Sequence, residues 1–159
     1  MGDYKCNGSC TTACNCSQNE RFLWPQFDAL QLAIGWTESD IQKKQVLVED
    51  VLGDSHPGSA HLGRLSEQVQ IGVYESGGKP GRFHTTDICD GCAQGHDGMN
   101  YILASRESIA DMVELHGRFV PWDGLVLLSS CDKSIPGHLK AAARLNLPTV
   151  FVPGGSMRP

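Results

Sequence analysis

The chain is predicted to be an α/β domain: a mostly parallel sheet with helices on both faces, in three layers. Three observations predict this. Short apolar runs bounded by turn residues alternate with helix-period segments through residues 45–152. With 159 residues, of which 40% are apolar, the chain is sized for one domain with a real core. The chemically distinctive residues also cluster where apolar runs meet turns, the carboxyl edge at which such sheets bind ligands.

Residues 1–21 are polar and rich in Cys, Asn and Ser without any period, and are expected to form an irregular arm ahead of a domain over 22–159. Phe27, Leu30, Ala33 and Ile34 fall at helical spacing, with Gly35 as the stop. Thr37 with Asp40 resembles a capping pair for a short second helix. Residues 45–51 form the first strand candidate, followed by a turn through His56-Pro57-Gly58. A helix over 60–75 places Leu62, Leu65, Val69 and Val73 on one face. Residues 77–81 read as a turn and 82–88 as a strand. A glycine-rich loop over 90–98 then leads to a helix with Ile109, Met112, Val113 and His116 on one stripe. Residues 125–130 are the most hydrophobic strand. Pro136 suits the first turn of the next helix, expected to bury Leu139, Ala142 and Ala143, and 149–152 complete the sheet.

The formal charge of -5 argues against nucleic acid or an anionic membrane as partner. No apolar run approaches the roughly 20 residues a membrane span needs, and no basic start precedes an apolar stretch, so a cytoplasmic protein is expected. Seven cysteines, an odd number, fit reduced, metal-facing or redox thiols better than a disulfide framework. On that reading the sequons at Asn7 and Asn15 carry no meaning. Phosphate-cradling glycine motifs of the dinucleotide and P-loop kinds are absent from the sequence.

A Cys-Asp pair occurs twice at strand ends, as Cys89-Asp90 and Cys131-Asp132. Thiolates suit iron–sulfur clusters or zinc, and carboxylates suit magnesium or manganese, so the repeat points to two metal centres sharing a pocket. Cys89-Asp90-Gly91-Cys92 also matches the C-x-x-C of a dithiol oxidoreductase. Against that, Asp90 is expected to raise the thiolate pKa, the wrong direction for a reactive dithiol. An inert buried cysteine explains Cys92 better than it explains the repeated pair. Cys131-Asp132-Lys133 sets two charges directly after an apolar strand, which fits either metal binding or a solvated Asp–Lys turn. Cys6, Cys10, Cys14 and Cys16 match no standard zinc spacing but leave open a non-catalytic metal-binding module. His56, His61 and Arg82 could contact a polar substrate.

The segments Cys89-Asp90-Gly91, Gln94-Gly95-His96-Asp97-Gly98-Met99, Ser105-Arg106-Glu107, Ile109-Ala110-Asp111, Cys131-Asp132-Lys133 with Pro136-Gly137, and Pro153-Gly154-Gly155-Ser156-Met157 together resemble the dihydroxy-acid/6-phosphogluconate dehydratase family. The resemblance covers residues 46–157 and implies a hydro-lyase that converts a 2,3-dihydroxy carboxylic acid, of dihydroxy-acid or sugar-acid type, to a 2-oxo acid. It implies an iron–sulfur cluster to ease loss of the C3 hydroxyl and Mg2+ to stabilise charge at C2. Carried over, Cys131 and Cys89 resemble cluster ligands, and Asp90 and Asp132 resemble magnesium ligands. Lys133 resembles the lysine that is carbamylated in family members and then binds the same ion. Asp132 and Lys133 are thus the expected catalytic pair. One branch of the family has a cysteine in the turn after the first strand, where this chain has Gly58, and that departure favours a 4Fe–4S over a 2Fe–2S cluster. Family enzymes are several times longer and commonly dimeric. The resemblance therefore implies an N-terminal portion lacking a C-terminal domain, inactive alone and a homodimer when full length.

Overall fold

A computed structural model describes residues 16–155. Four strands, β1 (Gln45–Asp50), β2 (Lys79–His84), β3 (Gly124–Ser129) and β4 (Thr149–Pro153), form one sheet in the order β2-β1-β3-β4, with every pairing parallel. The predicted α/β class and alternation hold. The N-terminal helices are α1 (Ser17–Leu23), α2 (Gln26–Ala33) and α3 (Glu38–Ile41), and α4 (Leu62–Glu75) joins β1 to β2. The β2–β3 connection holds a short helix α5 (Asp90–Ala93), a 3-10 turn (Asp97–Tyr101) and α6 (Ile102–Arg118), and α7 (Ser134–Leu145) joins β3 to β4.

Strand alternation sends Glu49 and Asp50 to opposite faces, and each meets a helix. Glu49 contacts His116 of α6, whereas Asp50 lies beside Ser66 of α4. The sheet is therefore sandwiched, α4 on one face and α6 with α7 on the other. Its core holds Leu47, Leu125 and Leu127 from the strands, Ile109 and Val113 from α6, Ala141 from α7, and Leu62 and Trp122. At about 1.5–3 kcal/mol for each fully buried large apolar side chain, this cluster is the main driving force for folding.

Several local expectations are corrected. Helix α1 occupies residues 17–23, where an irregular arm was expected to run to Arg21, because tertiary contacts hold it. Ser17 Oγ donates to Asp123 Oδ2 at 2.5 Å, and Arg21 pairs with Asp28 at 2.8 Å. Cys6, Cys10 and Cys14 lie outside the described residues, and Cys16 is buried. Strand β2 begins at Lys79 rather than Arg82 and ends at His84. It is an edge strand, where Pro80 can sit without breaking a central ladder. Helix α7 starts at Ser134, so Pro136 is its third residue, and it buries Ser134, Gly137, His138 and Ala141. Leu139 is 49% exposed, Ala143 is exposed and Ala142 is only half-buried, because close packing against α6 selects the small-residue face. Met112 likewise points outward from α6, while Ile109 and Val113 point in. The Thr37–Asp40 capping box forms as expected, and Gly35, at φ +89°, ends the preceding segment.

Candidate metal centre

Chain order sets where the site lies. The connection from β1 runs to β2 on one side, whereas the next connection crosses back over β1 to β3. Adjacent strands β1 and β3 therefore flank a topological switch point, beyond whose carboxyl ends a crevice opens.

Three loops meet there. After β1, Asp50 Oδ1 accepts from the N–H of Leu52 and turns the chain outward. The loop then folds back, so that His56 and Ser59 are buried. A Cβ at Gly58 would overlap Cys131 Sγ and lie 3.3 Å from His56 Nδ1, so only glycine lets this backbone come so close. After β3, Ser134 Oγ accepts from the N–H groups of both Ser130 and Cys131 at 3.0 Å, which fixes Cys131 at the mouth of α7. After β2, the Asp87 carboxylate accepts from Ser130 Oγ and ties the Cys89 loop to the Cys131 loop.

The result is a compact set of soft donors. One ligand atom each from His56, Cys89 and Cys131 lie within 4.8 Å of one another, and Cys131 Sγ is 3.9 Å from His56 Nδ1. Beside them Lys133 Nζ donates to Asp90 Oδ2 at 2.6 Å and pairs with Asp132. The Asp132 hydrogen bond, then that of Asp90, raises the Lys133 pKa, and Lys133 in turn lowers that of Asp132. Asp90 Oδ1 is buried without a hydrogen-bond partner. All five residues expected from sequence to hold metal or cluster thus come together.

The thiols differ. The backbone N–H of Cys92, aided by that of Gly91, lowers the Cys89 pKa against the effect of burial. The neighbouring Cys89 raises that of Cys92, and burial raises that of Cys131. The expectation that Asp90 would raise the Cys89 pKa is therefore corrected: the amides at the start of α5 outweigh burial, and the net direction is downward. Cys89, Cys92 and His56 also line an open cleft of about 430 Å³, together with His96 and Tyr101.

Other polar residues serve structure. His61 Nε2 is 2.9 Å from the carbonyl of Gly154, holding the end of β4 against the first loop. Arg82 and His84 both pair with buried Asp50. His96 braces its own loop through Cys92 O and Gly98 N. The sequence groups His56 with His61 and Arg82 as a polar-substrate contact and carries no sign of its place against Cys131. No short motif joins the two, and only the long-range packing of the β1 and β3 loops does so.

A parallel α/β sheet thus brings thiols, carboxylates and a lysine together at its switch point, a donor set able to hold a metal ion. Residues 43–159 match the family described as dihydroxy-acid/6-phosphogluconate dehydratase N-terminal, and the chain belongs to that family. It is 46% identical over 131 residues to the dihydroxy-acid dehydratase of Methanosarcina barkeri, covering 82% of this chain and 24% of that protein. The protein of the same name from Methanococcus vannielii is 49% identical over 131 residues, with the same coverage of 82% and 24%. That of Pyrococcus furiosus is 46% identical over 127 residues, covering 80% of this chain and 23% of the relative. The chain thus spans about a quarter of the length of these relatives.

Proposed function

We propose that the chain contributes the N-terminal half of a hydro-lyase site, in which an iron–sulfur cluster and Mg2+ act together on a 2,3-dihydroxy carboxylic acid. One observation carries the reading: two thiols and an imidazole gather within 4.8 Å beside an Asp–Lys–Asp cluster. The names of the relatives support the substrate class.

The donor set fits both groups. Cys89 is held toward its thiolate by amide N–H groups, and thiolate is the form that ligates iron. The orphaned Oδ1 of Asp90 is an oxygen donor suited to a hard cation, with Asp132 alongside. When bound, the cluster supplies Lewis acidity toward a leaving hydroxyl, and Mg2+ supplies charge stabilisation at the carboxylate and C2 oxygen. The Lys133 ammonium now compensates two carboxylates. As a carbamate it would add a third negative group, which a divalent cation must balance.

The dithiol reading keeps one observation in its favour, a Cys89 with lowered pKa next to a Cys92 with raised pKa. Anaerobic reconstitution with iron and sulfide separates the two. The dehydratase reading expects cluster absorption and an EPR signal that Cys89→Ser and Cys131→Ser abolish and Cys92→Ser keeps. A titratable Cys89–Cys92 disulfide with no cluster would overturn it in favour of the oxidoreductase.

A further inference from the structure

Resting on that reading of the centre, we propose that His56 Nδ1 is a nitrogen ligand of the metal centre, completing a His–Cys–Cys set with Cys89 and Cys131. Ser59 Oγ donates its single hydrogen to the carbonyl of Gly53 at 2.7 Å. Toward His56 Nε2, 3.1 Å away, the same oxygen can then only accept. Nε2 therefore carries the proton, and Nδ1 presents a bare lone pair on the side of Cys131 Sγ. A hydrogen bond that fixes the far nitrogen of a histidine is how proteins set tautomer and ring orientation for ligation.

Distance and burial agree. Nδ1 lies 3.9 Å from Cys131 Sγ. Thiolate and imidazole on one tetrahedral ion sit about 3.5 Å apart, given bonds of about 2.3 and 2.0 Å, so a few tenths of an ångström of contraction suffices. His56 is only 6% exposed, so its ring cannot swing to solvent, and any side chain at Gly58 would fill the space between ring and sulfur. The loop spends a glycine, a buried serine and a buried histidine on this one approach. Imidazole in place of thiolate on iron also raises a cluster's reduction potential, which gives the ligand a chemical consequence.

The test is pulsed EPR on protein carrying 15N-histidine, reconstituted with iron and sulfide and then reduced. The expected result is one strongly coupled histidine nitrogen in the wild type, absent from His56→Ala. In parallel, titration with Co2+ alone should show one thiolate-bound equivalent in the wild type, at least about tenfold weaker binding in His56→Ala with rescue by added imidazole, and a smaller loss in Ser59→Ala. Absence of a strongly coupled nitrogen from the wild-type cluster overturns the proposal, whatever the fold of the variant. So does wild-type Co2+ affinity in His56→Ala. If Cys89→Ser and Cys131→Ser still abolish binding in those cases, the centre stands with thiolates alone. If they do not, the centre itself fails.

Discussion

Glu49 and Asp50 are neighbours in β1, both fully buried, and their environments drive them apart. Burial, then the charge of Asp50, pushes the Glu49 pKa up to about 8, while burial lowers that of His116 opposite it. Burial also opposes ionisation of Asp50, but the Ser66 hydroxyl, His84 and the N–H of Leu52 outweigh it and hold the pKa low. His138, hydrogen-bonded to Ser129 and shut from water, is lowered to about 4. For Glu49 the folded value exceeds the unfolded one, so its protonated form stabilises the fold fully below about pH 4.5, and this contribution is lost as pH rises to about 8. For His138 the sign reverses, with stability present above about pH 6.5 and lost as pH falls toward about 4. The two oppose one another below about pH 6.5, and Glu49 dominates above it. Thermal melts are therefore expected to fall between pH 6.5 and 8, and Glu49→Gln should flatten that decline by on the order of 1–3 kcal/mol. Equal slopes for the two proteins would contradict this assignment. None of these buried charges was legible in sequence, since an acidic pair inside an apolar strand looks the same whether it faces helices or water.

At the scale of elements, close approach governs the α6–α7 layer. A Cβ on Gly137 would stand 3.0 Å from the carbonyl of Arg106 and from Ile109, whereas Gly72 in α4 has open space around it. Gly137→Ala should therefore cost about 1–3 kcal/mol, and Gly72→Ala should stabilise by about 0.5–1 kcal/mol. Urea denaturation of the pair checks both signs. Thr37→Ala removes the capping box of α3 and should cost about 1 kcal/mol by the same measurement. The capping residues and the strand–helix alternation were readable because they depend on local pattern. The buried face of α7 was not, because small residues against α6 replaced the larger apolar face that periodicity favoured. The start of β2 was missed because proline and glycine signal a turn unless the strand lies at an edge.

For the whole molecule, the strand order places the loops after β1, β2 and β3 around one switch point, and that converts distant motifs into a site. The two Cys-Asp pairs and Lys133 could be singled out from residue types alone. Their meeting with His56 depended on topology that the chain encodes only through packing. Among the described residues, no helix is long and apolar enough to cross a membrane. The central claim is that this edge presents a metal centre to a dihydroxy acid, and substrate-induced change in the EPR spectrum of the reconstituted, reduced cluster tests it most directly. A 2,3-dihydroxy acid with Mg2+ is expected to shift the wild-type signal, a 2-hydroxy acid is expected to leave it unchanged, and Lys133→Ala is expected to lose the shift. An unchanged wild-type spectrum, or an equal response to the monohydroxy acid, would contradict it.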